Sequence, residues 1–337
     1  VTTAVIIVSY GRPQDVRQCL RALAEADRDA PFDIFLVENA GRDAFIALVA
    51  LLVAEGLALQ PQSGAAAPFR RLARMSGGPR DATVCCGLAA ENLGFAGGVN
   101  LWLRRLEREA RYDGFWILNP DTQPQSGALA ALVDHAARHG LGMVGSQLAA
   151  MARPDEIVTR GQHWRPLVCR PRALDRARPA RSPPGRDLAL RLDAPSGASF
   201  YVTRIGLQQI GPMEESYFLY YEDLEWGLRA KAACGLGLAE DSIVLHVGGA
   251  TIGSAASRRA RSALSVYLDH RNRLIFVRRM YPRHRGWTAL VVLARTLEFL
   301  FVGAFDNFLA ALAGWAAGLR GETGRPDRFF STGAAQR

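Results

Sequence analysis

The sequence predicts an α/β fold built on a mainly parallel sheet. Short apolar runs of strand length alternate with segments whose apolar residues recur at helical spacing, and each early run stops at a polar or turn-forming pair. A length of 337 residues suits one large α/β domain with an appendage, or about two domains. Val5-Ile6-Ile7-Val8 reads as the first strand, ending at Ser9-Tyr10-Gly11, and Val16, Cys19, Leu20 and Leu23 mark the helix behind it. Phe32 to Val37 is a second strand, stopped by Glu38-Asn39, and Ala44 to Leu59 reads as a second helix. This βαβα order calls for parallel strands joined by right-handed crossovers. Residues 60–80, rich in Pro, Gly, Ser and Arg, read as a surface loop, and Thr83 to Cys86 as a short strand. Phe115 to Leu118 is a buried strand that ends at Asn119-Pro120-Asp121. Residues 153–191 hold ten arginines, four acids and six prolines, and read as a basic, irregular insertion. Ser199 to Thr203 is a strand, followed by an acidic aromatic cluster that enters a helix carrying Arg229. Tyr267 to Tyr281 mixes arginines with large apolar residues. From Trp287 to Leu319 the chain is largely apolar, broken by Arg295, Glu298 and Asp306, which suits an amphipathic helix pair rather than a membrane span.

A composition of 49% hydrophobic and 22% charged residues excludes a mainly disordered, collagen-like or disulfide-rich chain. The net charge of +9 comes from 41 basic residues, of which only Lys231 is a lysine. It favours anionic partners: sugar-nucleotide diphosphates, acidic lipid headgroups or nucleic acid. Nucleic acid is not expected, because the arginines lie in a Pro-rich loop and an apolar tail without a recognition motif. The five cysteines form no CxxC pair and are expected as reduced thiols of a cytoplasmic protein. Val1 runs straight into a strand with no basic n-region, so no signal peptide is expected.

Several residues carry chemistry. Asp121, just past a buried strand, is placed to hold a divalent cation, although Asn-Pro-Asp is equally an ordinary turn. Glu222 and Asp223 are either a general-base pair that raise each other's pKa or acids favoured at a helix N-terminus. His246 ends the apolar run Ser242 to Leu245 as a ligand or a structural histidine. The glycines 94, 97 and 98, with Asn92 and Asn100, could bring backbone N–H groups to phosphates or form a flexible turn.

Read together and in order, these motifs resemble the inverting family-2 glycosyltransferases of GT-A fold, and within them the bacterial rhamnosyltransferase-like branch. The resemblance runs from about Val5 to Arg325. It rests on Val8-Ser9-Tyr10, Val37-Glu38-Asn39, Asn92 to Asn100, Leu118 to Asp121, Ser196-Gly197-Ala198, Tyr220 to Glu225, His246 with Gly249, and Arg271-Asn272. It implies a GT-A domain over 1–255, with a nucleotide-binding half at 1–125 and an acceptor half at 126–255, and a C-terminal amphipathic helical region at 256–337.

The roles it implies are specific. Asp121 and His246 would hold Mg²⁺ or Mn²⁺. Asp223 would be the catalytic base, with Glu222 beside it. Ser9, Tyr10, Glu38, Asn92, Gly94, Gly97, Gly98, Asn100 and Asn119 would line the nucleotide pocket, Glu38 by accepting a hydrogen bond from the base. Gly197, Ala198, Glu225 and Trp226 would face the acceptor. The donor is expected to be a dTDP- or UDP-linked sugar, rhamnose first and galactose or another hexose next. The acceptor is expected to be a glycan or polyprenyl-linked glycan of cell-surface polysaccharide synthesis. Arginines 271, 273, 278, 279, 283 and 285 are expected to draw the tail to the anionic inner face of the cell membrane, a homodimer being the alternative use of that surface. A nucleotidyltransferase or a non-catalytic carbohydrate- or membrane-binding module on the same fold are the competing readings.

Overall fold

The computed structural model describes residues 2–26, 30–61, 66–247 and 258–330. The first half runs β1 (Thr3–Ser9), α1 (Pro13–Ala26), β2 (Phe32–Glu38), α2 (Arg42–Ala54), β3 (Ala58–Leu59), β4 (Arg71–Ser76), β5 (Val84–Leu88), α3 (Gly94–Leu106), β6 (Gly114–Leu118), β7 (Thr122–Pro124) and α4 (Ala128–His139). There follow β8 (Met143–Ala150), β9 (Arg153–Thr159), β10 (Gln162–Arg165), β11 (Arg170–Ala173), α5 (Leu188–Arg191), β12 (Ser199–Thr203), α6 (Arg204–Ile210), α7 (Glu222–Ala233) and β13 (Leu236–His246). The tail is α8 (Ala263–Met280), α9 (Arg285–Phe301) and α10 (Phe305–Arg320).

The main sheet has the order β3-β4-β5-β2-β1-β6-β12-β8-β13-β7, with β9 on β8. Its centre, β5-β2-β1-β6, is parallel, and β8 pairs parallel with β13. β12 is inserted antiparallel between β6 and β8. Alternation along β1 sends Val5 and Ile7 to one core layer and Ala4 and Ile6 to the other, as a sheet covered on both faces requires. Because β1, β2 and β6 run the same way, their ends at Ser9, Glu38 and Leu118 share one rim, where ligands gather in open α/β sheets.

Three expectations about the elements need correction. The loop expected at 60–80 contains β4, next to the two-residue edge strand β3, and its pattern is masked because only Met75 is buried and arginines face solvent. The second helix stops at Ala54 rather than Leu59, since Gly56 takes a φ of 99° and Ala58–Leu59 joins the sheet edge. The insertion at 153–191 is not irregular: β9 extends the sheet, and β10 and β11 form an antiparallel hairpin. Its core is Arg160, 1% exposed, whose guanidinium donates to Gln147, Asp175 and the carbonyls of Ala180 and Ser182. A buried arginine is tolerated here because these oxygens offset its desolvation.

The apolar tail is the expected helix pair, α9 and α10, turning at Gly303 (φ 65°), with α8 before it. Among the described residues no helix is long and apolar enough to cross a membrane. All five cysteines are free thiols. Arg271 and Arg273, expected at a membrane surface, are instead buried in α8, where they hold the loop before α7.

Candidate functional site

A cleft of about 540 Å³ opens at the rim where the parallel strands end. Tyr10, Asn92, Gly94, Asn119, Asp121, Gly197, Ala198, Glu222, Asp223 and His246 all line it, drawn from across the chain.

The acid at the end of β6 meets its histidine through strand pairing. β7 follows Asp121 directly and pairs antiparallel with β13 in a register that sets His246 opposite Thr122. The backbone N–H of Val247 donates to the Asp121 carbonyl at 3.2 Å. His246 Nε2 then lies 3.3 Å from Asp121 Oδ1, with both side chains largely buried. Among the described residues no group of three or more His, Cys, Asp or Glu side chains could enclose a metal ion. A carboxylate oxygen and an imidazole nitrogen converging on one cleft nevertheless fit a hard divalent cation whose other positions are filled by ligand oxygens or water. Gly249, which the resemblance pairs with His246, lies outside the described residues.

The second acid pair stands at the start of α7. The loop leading to it is strained: Phe218, Tyr220 and Tyr221 have φ of 65°, 71° and 77°. Such a path persists only when the surroundings impose it, and Arg271-Asn272 of α8 do so. The Asn272 amide donates to the carbonyls of Tyr217 (2.9 Å), Leu219 (2.7 Å) and Tyr220 (3.2 Å), while Arg271 Nη2 donates to Tyr217 O at 3.0 Å. Arg273 reaches Tyr221 Oη at 2.8 Å and Asp269 at 2.8 Å. Burial and the proximity of Arg273 act in opposite senses on Asp269, and the arginine prevails, holding the carboxyl well below the usual range.

Asp223 is partly exposed on the cleft wall. Its Oδ2 accepts from Gln162 Nε2 at 2.7 Å and from the Gly197 N–H at 3.1 Å, and its Oδ1 from the Leu224 N–H at 2.8 Å. Burial raises its pKa, and the three donors pull the other way without cancelling the rise. Glu222 is 4% exposed, and burial, with the Asp223 charge second, pushes its pKa up to about 8. At neutral pH Glu222 therefore keeps its proton, and Asp223 is the member of the pair whose carboxyl is held by hydrogen-bond donors that favour its ionised form. A carboxylate so held, with a raised pKa, can take a proton from a hydroxyl.

The Gly94 region is a helix start rather than a flexible turn. Gly94 takes a φ of 72°, and a Cβ there would sit 2.0 Å from the Phe218 carbonyl oxygen. The Asn92 side chain caps its N–H, Asn39 Nδ2 donates to its carbonyl at 2.8 Å, and the Phe95 N–H donates to Phe218 O at 2.9 Å. The glycine thus lets α3 touch the loop that carries Glu222 and Asp223.

Seven expected residues do not reach the cleft wall. Ser9 and Glu38 are fully buried, and Glu38 Oε1 accepts from the backbone N–H groups of Gly11 (2.9 Å) and Ala40 (2.8 Å), joining two rim loops. Gly97 and Gly98 serve packing: a Cβ would lie 2.8 Å from Leu93 Cβ and 2.9 Å from Val8 Cγ1. Asn100 is turned inward, its amide donating to Met213 O and Glu215. Glu225 is buried against Arg229 (2.9 Å) and Arg279 (3.6 Å). Trp226 donates to Gly211 O at 2.9 Å and packs edge-on against Phe200. The last two lie one turn further along α7 than Glu222 and Asp223, where the helix runs from the cleft into the core.

The sequence reading missed Gln162, and it missed Ser262, Leu264 and Phe330, which bring the C-terminal region to the cleft. No local signal marks them. Gln162 lies in the insertion, 61 residues from the acid it touches.

The fold is of the GT-A class. No protein-family profile matches the chain. Over 248 residues, 71% of this chain and 76% of the relative, it is 23% identical to the low-salt glycan biosynthesis hexosyltransferase Agl10 of Haloferax volcanii. Among solved structures it is similar to Staphylococcus aureus TarS 1–349, with a TM-score of 0.50 and 12% identity over 98% of this chain and 83% of that one. It is equally similar to the mannosyltransferase PcManGT of Pyrobaculum calidifontis in complex with GDP-Man and Mn²⁺, with a TM-score of 0.50 and 14% identity over 94% and 86% of the two chains. At these identities the solved structures speak for the fold.

Proposed function

We propose that the chain is an inverting, cation-dependent hexosyltransferase that moves a sugar from a nucleoside-diphosphate donor to a hydroxyl of a glycan or lipid-linked glycan. The observation that carries this reading is the meeting, in one cleft, of the Asp121–His246 pair and a hydrogen-bonded Asp223 carboxylate. Asp121 and His246 would hold the divalent cation, which when bound supplies Lewis-acid charge for the departing diphosphate. Asp223 takes the proton of the acceptor hydroxyl as its oxygen attacks the anomeric carbon, and a single displacement inverts that centre. Gln162 and the Gly197 N–H orient the Asp223 carboxylate, and protonated Glu222 keeps a second negative charge away from it. Hexosyl transfer is supported by the Agl10 likeness, and the Mn²⁺ of the PcManGT complex supports the cation. Donors named in the related structures, GDP-Man and UDP-GlcNAc, widen the candidates beyond dTDP-rhamnose, which stays the first to test.

The reading extends to a membrane surface. Trp287, Leu290, Leu297, Leu300 and Phe301 of α9 and Phe305, Leu309, Leu312 and Leu319 of α10 are exposed, at spacings that make one apolar stripe on each helix. Exposed Arg283, His284 and Arg285 stand at the start of that face. An anionic lipid surface matches both features.

The test is a screen of dTDP-rhamnose, UDP-galactose, UDP-GlcNAc and GDP-mannose for hydrolysis and thermal shift, with Mn²⁺ and with EDTA. One donor turned over with Mn²⁺ alone is expected, and Asp223→Asn should cut that turnover by about 10²-fold or more while donor affinity holds. No binding of any donor under either condition defeats the proposal. Flotation with phosphatidylglycerol vesicles, weakening with salt, is expected for the tail; no flotation at low salt with a dimeric mass in solution defeats that part.

A further inference from the structure

A second cavity of about 550 Å³ lies in the insertion, lined by Arg170, Arg172, Arg176, Arg178 and Arg191 around a single carboxylate, Asp175. That carboxylate is already committed. Its Oδ2 accepts from buried Arg160 at 3.0 Å and from the Gly185 N–H at 3.0 Å, and its Oδ1 faces Arg178 at 3.5 Å. Among the described residues, Arg170, Arg172, Arg176 and Arg191 make no ion pair with a carboxylate. Guanidinium groups gathered in this way repel one another unless an anion joins them, and their planar forks suit phosphate oxygens.

The position of the pocket says what the anion belongs to. It shares no lining residue with the cleft of Asp121, so it is not the donor's diphosphate site. It is one strand from the base. β11, which carries Arg170 and Arg172, pairs with β10 so that Ala173 in the pocket wall faces Gln162, whose amide holds Asp223. Paired strands lie about 4.8 Å apart. The other end of the hairpin docks on α9, through Trp287 Nε1 to Leu167 O at 2.9 Å and Cys169 Sγ to Thr288 Oγ1 at 3.3 Å. Arg170 and Arg172 thus belong to a hairpin that reaches from the base to the start of the exposed apolar face, and Arg176, Arg178 and Arg191 close the pocket from the chain that follows it.

Building on the transferase reading above, we propose that this pocket binds a phosphate or diphosphate carried by the acceptor, fixing its hydroxyl at Asp223. The phosphate comes either from the link between a sugar and a lipid carrier or from a soluble phosphate-bearing glycan, and the recognition chemistry is the same.

The test uses inorganic pyrophosphate and farnesyl diphosphate, titrated calorimetrically into the full chain at low salt in EDTA, where cation-dependent donor binding is suppressed. Both probes are expected to bind, to weaken with salt, and to bind Asp121→Ala with unchanged affinity. In Arg170→Ser/Arg172→Ser/Arg176→Ser, whose exposed side chains support no structure, affinity should fall tenfold or more at an unchanged melting temperature. Tenfold tighter binding of farnesyl diphosphate than of pyrophosphate assigns the phosphate to a lipid carrier; equal affinities assign it to a soluble glycan. Equal affinity of the triple variant and the parent, or tighter binding of a 12-nucleotide RNA than of either probe, overturns the proposal. The probes contain neither sugar nor nucleoside and nothing turns over, so a failed donor screen would leave this result intact.

Discussion

Replacing Gln162 by leucine removes one of the two donors to Asp223 Oδ2, the 2.7 Å amide bond, and leaves the Gly197 N–H at 3.1 Å. A hydrogen bond to a charged acceptor is worth about 1.5–3 kcal/mol, and it acts on the ionised form only. Asp223 is partly exposed in the cleft, so water replaces some of what is lost, leaving about 1.4 kcal/mol, or one pH unit. The direction follows from the causes. Burial already raises the pKa and Gln162 opposes it, so its removal raises the pKa further. A base must be deprotonated to work, so the acid limb of the kcat/KM profile moves about one pH unit upward. Activity on the acid side falls about tenfold and returns at alkaline pH, with donor affinity unchanged. The assay is sugar transfer from the donor found in the screen, measured from pH 5 to 9.5 for the parent, Gln162→Leu and Gln162→Glu; the last places a second carboxylate beside the first and should move the limb further. A loss of equal size at every pH, or an unmoved limb, would refute the argument that Gln162 tunes the base.

Asp121→Ala should abolish the difference in donor affinity between Mn²⁺ and EDTA, read by calorimetry, because His246 alone is a poor site for a hard cation. Glu222 has a pKa of about 8 in the folded chain against an ordinary 4.5, so the native state keeps a proton that the unfolded chain releases. Stability is then full below about pH 4.5 and declines up to about pH 8, by on the order of a few kcal/mol, and Glu222→Gln should flatten that decline in urea denaturation at pH 5, 7 and 9. Asn272→Leu removes the amide donor from the carbonyls of Leu219 and Tyr220, Tyr217 O keeping Arg271, and should lower stability by about 2 kcal/mol and turnover with it, since the loop positions both acids; unchanged turnover would show that the loop holds without it.

How much of this was legible beforehand depended on whether the signal was local. The strands β1, β2, β6 and β12 were legible as apolar runs because a strand buried on both faces must be apolar throughout. The breaks after them marked the rim, so Tyr10, Asn119 and Asp121 were found at the cleft by elementary strand logic. The strand β4 near the sheet edge and the hairpin of β10 and β11 were not, because strands near an edge or on the surface need no apolar pattern and their arginines imitate a loop. Identity of residue type was likewise insufficient for Asn100, Glu225 and Trp226, each a plausible ligand by chemistry and each turned inward by its position on a helix.

The sequence by itself determined the parallel core, the line of strand ends and the acids at 121 and 222–223, since these follow from periodicity and from where periodicity stops. Only the tertiary structure decided what those acids touch. The β7–β13 pairing brings His246 to Asp121, the insertion delivers Gln162 to Asp223, and α8 clamps the strained loop between them. Each of these contacts joins residues from 50 to more than 120 positions apart, and such contacts are set by packing and pairing register, which leave no trace in the local pattern of residues.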